Sequence, residues 1–217
     1  LAVVVLYWDK LWPFRFGGGP IIKKKTFSMW CKIVVACIPA AIVGVLFDDV
    51  LTALFYNYIT VAIMLILFGI LFIIIENTNK YRRPHIRKIS QITYPTAIII
   101  GIFQLIAAVF PGTSRSGATI VGGLLCGVSR TVAAEFTFFM AVPVMLGASL
   151  LKIVKFGFAF TAGELVVLVV GMVVAFVVSI LTIQFLMGYI KKHDFKVFGW
   201  YRIVLGILVL VYFLIFN

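Results

Sequence analysis

Residues 93–128 read TYPTAIIIGIFQLIAAVFPGTSRSGATIVGGLLCGV, and how often this stretch crosses a membrane decides the architecture. Two apolar halves, 94–110 and 117–128, flank the polar centre Pro111-Gly112-Thr113-Ser114-Arg115-Ser116. As helices, halves of 17 and 12 residues rise about 26 and about 18 Å, short of a hydrocarbon core of about 30 Å. Neither half comfortably spans alone.

The flanking charges decide between one crossing and two. One basic cluster holds Lys10, Arg15, Lys23, Lys24, Lys25 and Lys32, and a second holds Lys80, Arg82, Arg83, Arg87 and Lys88. The loop between the helices of these regions carries Asp48 and Asp49 and no base. Two spans therefore form a hairpin with both basic loops in the cytoplasm. If block 93–128 crossed once, the third cluster, Lys191, Lys192 and Lys196, would face outward. If it enters and returns, all three clusters are cytoplasmic, with Arg130 and Arg202 beside them, and only Lys152 and Lys155 lie outside. The second arrangement obeys the charge rule better. It predicts a re-entrant helix–loop–helix with its loop at membrane depth, where such backbone must be buried in protein or line a wet cavity.

The rest of the chain agrees with a membrane setting. Of 217 residues, 64% are hydrophobic and 12% charged, against roughly 45–50% and about 25% in a globular domain. This excludes a soluble enzyme, a nucleic-acid-binding domain and a secreted disulfide scaffold. The net charge of +12, from 19 Lys and Arg against 7 Asp and Glu, is a topology signal rather than a nucleic-acid footprint. Cys31, Cys37 and Cys126 show no zinc-type spacing. The further apolar blocks are 1–8, 29–47, 58–75, 132–151, 165–190 and 203–216. None alternates as barrel strands do. The expected fold is an all-α polytopic membrane protein forming one membrane domain over 1–217. Block 1–8 is too short to span and reads as the end of a helix, so the chain is expected to lack its natural N-terminus.

Chemistry concentrates in 111–119. Arg115 is the sole charge between Lys88 and Arg130, and placing Arg in a membrane costs at least about 2.5–3.5 kcal/mol. Thr113, Ser114, Ser116 and Thr119 supply hydroxyls, while Gly112 and Gly117 allow a ligand close to the backbone. A helix starting at Gly117 would aim free amides at the loop. A cationic fork, hydroxyls and a helix N-terminus describe an oxyanion site suited to phosphate or pyrophosphate. The competing reading is a structural Arg115 paired with a carboxylate.

These residues resemble the bacterial undecaprenyl-pyrophosphate phosphatase family, the integral-membrane type linked to bacitracin resistance. Its signature P-G-x-S-R-S-x-x-T is met by Pro111, Gly112, Ser114, Arg115, Ser116 and Thr119. Gly127-Val128-Ser129-Arg130, Glu135-Phe136-Thr137-Phe138 and Ala141-Val142-Pro143 are also similar to it. The resemblance implies an inverted-repeat helical bundle, with 1–92 the remainder of a first repeat and 93–217 a second repeat carrying the re-entrant segment 93–128. It implies dephosphorylation of undecaprenyl pyrophosphate in the bacterial inner membrane, recycling the cell-wall lipid carrier; the charge topology, with entry on the cytoplasmic side, has the site facing outward. Arg115, Ser114 and Thr119 are the expected catalytic residues, Arg115 binding phosphate oxygens and Ser114 and Thr119 donating hydrogen bonds. Gly112, Ser116, Gly117 and Gln104 are the expected substrate contacts. A divalent ion, Mg2+ or Ca2+, is the implied cofactor. Its carboxylate ligands belong to a first signature, E-x-x-x-E, that has no counterpart here and would lie before Leu1, so no metal ligand is nominated in this chain. The partners are undecaprenyl pyrophosphate and membrane lipid, with no nucleic acid; a homodimer is left open. A polyprenyl-phosphate flippase or transporter is the alternative, and a third reading has the chain inert by itself.

Among other polar residues, Glu135 complements a helix N-terminus or serves the site. His85 and His193 read as solvated. Asp48, Asp49 and Glu164 read as outer-loop residues, and Glu76 and Asp194 as interfacial ones. Pro39 and Pro143 are expected to kink spanning helices. Gly123 and Gly127 are expected to pack a helix closely as a G-x-x-x-G pair.

Overall fold

A computed structural model describes residues 1–14, 23–79, 82–157 and 161–216. Arg15 and Lys80 of the basic clusters lie outside the described residues. Ten α-helices are present among those described: α1 (Ala2–Leu6), α2 (Trp8–Leu11), α3 (Lys24–Leu46), α4 (Asp48–Phe55), α5 (Tyr58–Asn79), α6 (Tyr94–Val109), α7 (Arg115–Leu125), α8 (Arg130–Phe156), α9 (Ala162–Lys192) and α10 (Lys196–Phe216). Helices α3, α5, α8, α9 and α10 are long and apolar enough to cross a membrane. This makes the chain a multi-pass membrane protein. Pro39 and Pro143 lie inside α3 and α8. Helix α4 occupies what reads in sequence as a loop, with Asp48 and Asp49 in its first turn, where acids suit the positive helix end.

The block 93–128 forms a helical pair. Thr93 starts α6 by accepting a hydrogen bond from the Thr96 amide (3.4 Å), with Pro95 in the first turn. Helix α7 ends in a Schellman motif. The Gly127 amide donates to Leu124 O (3.0 Å) and the Val128 amide to Gly123 O (3.0 Å). Gly127 takes φ +72° there, and a Cβ on it would lie 2.2 Å from the His85 ring. Its glycine therefore serves the helix end rather than the expected G-x-x-x-G face.

Both ends of the pair are fastened together. The amides of His85 and Ile86 each donate to Gly127 O (3.2 Å), and the Ser129 amide donates to Ile86 O (2.9 Å). The backbone before the pair and the backbone after it thus meet. Helix α7 runs along α5: at one end Asn79 Nδ2 donates to Leu124 O (3.4 Å), at the other Gly112 lies on the Val61 backbone. Eighteen residues of α5 separate these contacts, about 27 Å of helix.

The core sits around this pair. Ile33 and Ala36 of α3, Ala97 and Ile100 of α6, and Phe136, Phe139 and Met140 of α8 are all but fully buried. Helix α10 lies against α5, where a Cβ on Gly69 would come within 2.7 Å of Gly199 O. Helix α9 exposes nearly all its apolar surface, as a helix facing lipid does.

Glu76 is enclosed by protein. It is 1% exposed at the end of α5, where both carboxylate oxygens accept from Arg130 Nε (2.9 and 3.0 Å), Oε2 also accepts from Arg130 Nη2, and Oε1 accepts from the Phe195 amide (3.2 Å). A buried carboxylate must be paired, and Arg130 is its partner.

Candidate functional site

The turn joining α6 to α7 is held from outside the pair. Gly112 has φ +89°, and a Cβ on it would lie 2.4 Å from Val61 O. No other residue type fits both conditions. Arg202, inside α10, donates through Nη1 to Thr113 O (2.9 Å) and Gly112 O (3.5 Å). Sequence reasoning placed Arg202 beside the cytoplasmic clusters; the structure places its guanidinium at the opposite end of the pair. A long side chain reaching back from an apolar helix to unsatisfied turn carbonyls explains the difference.

Helix α7 begins at Arg115, two residues before the expected start. Ser114 is its N-cap, with φ +60°. Ser114 Oγ accepts from the Gly117 amide (3.3 Å) and lies 3.4 Å from Ser116 Oγ. One lone pair of Ser114 is therefore spent on its own helix. Gly117 is buried against Phe72, whose ring would lie 3.2 Å from an added Cβ. The two glycines let backbone approach protein here, Val61 and Phe72.

Arg115 and Ser116 open onto a cavity of about 260 Å³, lined also by Gln104 of α6, Thr119 of α7, and Thr137, Phe138 and Ala141 of α8. Arg115 forms no ion pair among the described residues. The competing structural role, a carboxylate partner, is therefore not seen there. Gln104 is 2% exposed, and its Nε2 has no hydrogen-bond partner. A buried donor left open costs about 1–3 kcal/mol, a cost that a ligand oxygen would relieve. Thr113 Oγ1 at the turn is likewise buried without a partner.

Thr119 is 1% exposed. Its hydroxyl reaches Arg115 O (3.0 Å) and Ser116 O (3.1 Å), and lies 2.9 Å from Thr137 Oγ1. Its one proton serves those carbonyls, so Thr137 donates to Thr119. The donors left for a ligand are the Arg115 guanidinium, the Gln104 amide and the Ser116 hydroxyl. All of this suits a polyanion. Thr137 and Arg202 escaped sequence reasoning as site residues. Thr137 lies within the quoted Glu135–Phe138 stretch; Arg202 is signalled by a lone charge within an apolar helix.

Glu135 lies away from this cavity, paired with Lys10 at 2.9 Å. His85 packs on Gly127 at the far end, and His193 stacks on Tyr189 (4.4 Å). For a divalent ion, the cavity lining offers hydroxyls, an amide and a cation but no carboxylate. Among the described residues no group of three His, Cys, Asp or Glu side chains could hold one. The residues present do not fit the ion, and no step is routed through it.

Comparison with known proteins gives a consistent picture. Residues 1–208 match the model of the family described as bacitracin resistance protein BacA. The chain is 70% identical over 213 residues to the undecaprenyl-diphosphatase of Desulfitobacterium hafniense, covering 98% of this chain and 77% of that one. It is 68% identical over 215 residues to undecaprenyl-diphosphatase 1 of Clostridium acetobutylicum, covering 99% and 78%. Against an undecaprenyl-diphosphatase of Enterococcus faecalis the identity is 62% over 213 residues, covering 97% and 77%.

Proposed function

The chain belongs to the bacitracin resistance protein BacA family, and on that premise we propose that it hydrolyses undecaprenyl diphosphate to undecaprenyl phosphate and inorganic phosphate. This returns the cell-wall lipid carrier to use and underlies resistance to bacitracin. One observation carries the assignment of the site: a guanidinium with no ion pair among the described residues, at a helix N-terminus, faces a cavity lined also by the buried Gln104.

The chemistry follows from those groups. Hydrolysis forms a bond from water oxygen to the terminal phosphorus and breaks that phosphorus's bond to the bridging oxygen, which leaves with the lipid phosphate. Negative charge shifts among the phosphate oxygens as the bond breaks. Arg115 opposes that charge with a planar array of donors. The Gln104 amide and the Ser116 hydroxyl orient the remaining oxygens. Ser114, Thr119 and Thr137 hold the start of α7 so that Arg115 keeps its aim. Gly112 and Arg202 hold the turn itself. The polyprenyl tail stays in the lipid against the apolar helix faces. The basic clusters orient the protein with the α6–α7 turn away from the cytoplasm, in the inner membrane.

The test is phosphate release from a polyprenyl diphosphate by the purified protein in detergent. Release that depends on Arg115 is the expected result. Near-normal turnover by a folded Arg115→Ala variant removes Arg115 from the mechanism. Lipid movement between leaflets without phosphate release would replace hydrolysis by transport.

A further inference from the structure

A second cavity, of about 560 Å³, lies at the opposite end of α5 from the Arg115 site. Four helices meet there, through the ends of α5, α7 and α9 and the start of α8. Its lining includes Arg82, Arg83, Arg130 and Lys191, together with the His85 ring, and no carboxylate. Of the acids near Arg130, Glu76 is committed to Arg130 itself and Asp194 pairs with Lys196 at 3.7 Å. Arg82, Arg83 and Lys191 form no ion pair among the described residues. The α8 N-terminus opens into the same space: Ser129 and Thr131 line it, and the Ser129 side chain makes no capping bond. The first-turn amides thus lack an intrahelical partner. Leu124, the exposed Leu125 and Ile190 form an apolar flank.

The positive-inside rule explains why basic residues are numerous at this end. It does not explain why side chains distant in sequence, at 82–83, 130 and 191, converge around one cavity whose lining lacks acids. We propose that this cavity binds a phosphate-bearing anion, specifically the headgroup of an anionic phospholipid in the cytoplasmic leaflet. The cations and amides take the phosphate, while the exposed Leu125 borders the acyl chains. Basic pockets between membrane helices are suited to such headgroups. This site is separate from the proposed catalytic one, and nothing in the argument depends on the hydrolytic reading.

The experiment measures binding to the detergent-solubilised protein of three probes: phosphatidylglycerol, phosphatidylcholine and inorganic phosphate. Phosphatidylglycerol is expected to bind in preference to phosphatidylcholine. The double variant Arg82→Gln/Arg83→Gln is expected to weaken phosphatidylglycerol binding by about tenfold or more, and Lys191→Gln to weaken it less. Both alter exposed side chains, so folding is retained. The control Lys24→Gln/Lys25→Gln removes equal charge from the start of α3 and is expected to leave the preference intact. Inorganic phosphate that binds and displaces phosphatidylglycerol, with the same dependence on Arg82 and Arg83, supports the anion site and assigns it a soluble ligand. Equal losses in the two double variants would reduce the preference to general attraction and overturn the proposal. So would the absence of any preference.

Discussion

Two helices of this protein begin with the same pair of residues, and the pairs meet opposite fates. Ser114-Arg115 opens α7 and Ser129-Arg130 opens α8. In each, a cation sits at the positive end of a helix, an unfavourable place that calls for a nearby anion. Arg130 has one inside the protein, Glu76. Arg115 has none among the described residues, and faces a cavity beside the open Gln104 amide. The capping differs as well, since Ser114 closes its helix and Ser129 does not. The contrast teaches that an arginine in an apolar setting is neither structural nor functional by type. What decides is whether the protein supplies its counter-charge.

Exchanging the arginines' surroundings tests that contrast. Arg115→Ala is expected to cut kcat/KM for phosphate release by about 10²–10³-fold, as loss of a preorganised charge donor does, with stability little changed. A fall in stability to match would make Arg115 structural after all. Glu76→Gln should do the reverse. It leaves Arg130, 38% exposed, without its anion and should lower stability by about 1–2 kcal/mol, while the folded fraction keeps its turnover. The double variant Glu76→Leu/Arg130→Met should recover much of that loss, because removing both charges leaves neither unpaired. Thermal unfolding in detergent reads both. Arg202→Met removes the donor to the Gly112 and Thr113 carbonyls, at a cost of about 1.5–3 kcal/mol in charged hydrogen bonds. We expect kcat to fall by about tenfold with KM little altered, and Arg202→Lys to recover part of it. Gln104→Leu is the mildest. Deleting a buried open donor should raise the stability of the empty protein by about 1 kcal/mol and raise KM several-fold. An unchanged KM would take Gln104 out of the site.

Much of this was legible in sequence because the bilayer narrows the choices. The apolar blocks sufficed to anticipate an all-α membrane protein, and the polar break at 111–116 the join between the two helices of 93–128. Arg115 stood out as an isolated charge in an apolar stretch. Other residues did not, for a shared reason. Glu76, Arg202 and Gly127 derive their roles from partners far along the chain, and sequence position near a loop is a poor guide to where a side chain ends. Glu76 borders a basic loop in sequence, yet α8 covers it with Arg130. Gly127 sits at helical spacing from Gly123, yet its φ shows that the helix has already ended. Thr119 carries a hydroxyl at the right place in the signature, and the backbone of α7 takes its proton first.

The hydrogen bonds from Arg202 to the α6–α7 turn also bear on the order in which the protein is made. Arg202 belongs to α10, whereas the turn that it holds emerges from the ribosome nearly ninety residues earlier. Until α10 is laid against α5, the Gly112 and Thr113 carbonyls lack their donor, and the loop before Arg115 is held only by its own pair, α5 and α8. A nascent chain halted before α10 would hold every group of the Arg115 cavity and still be silent. Synthesis of α10 thus works as a late check, completing the support of the pocket only once that helix has joined α5 in the membrane.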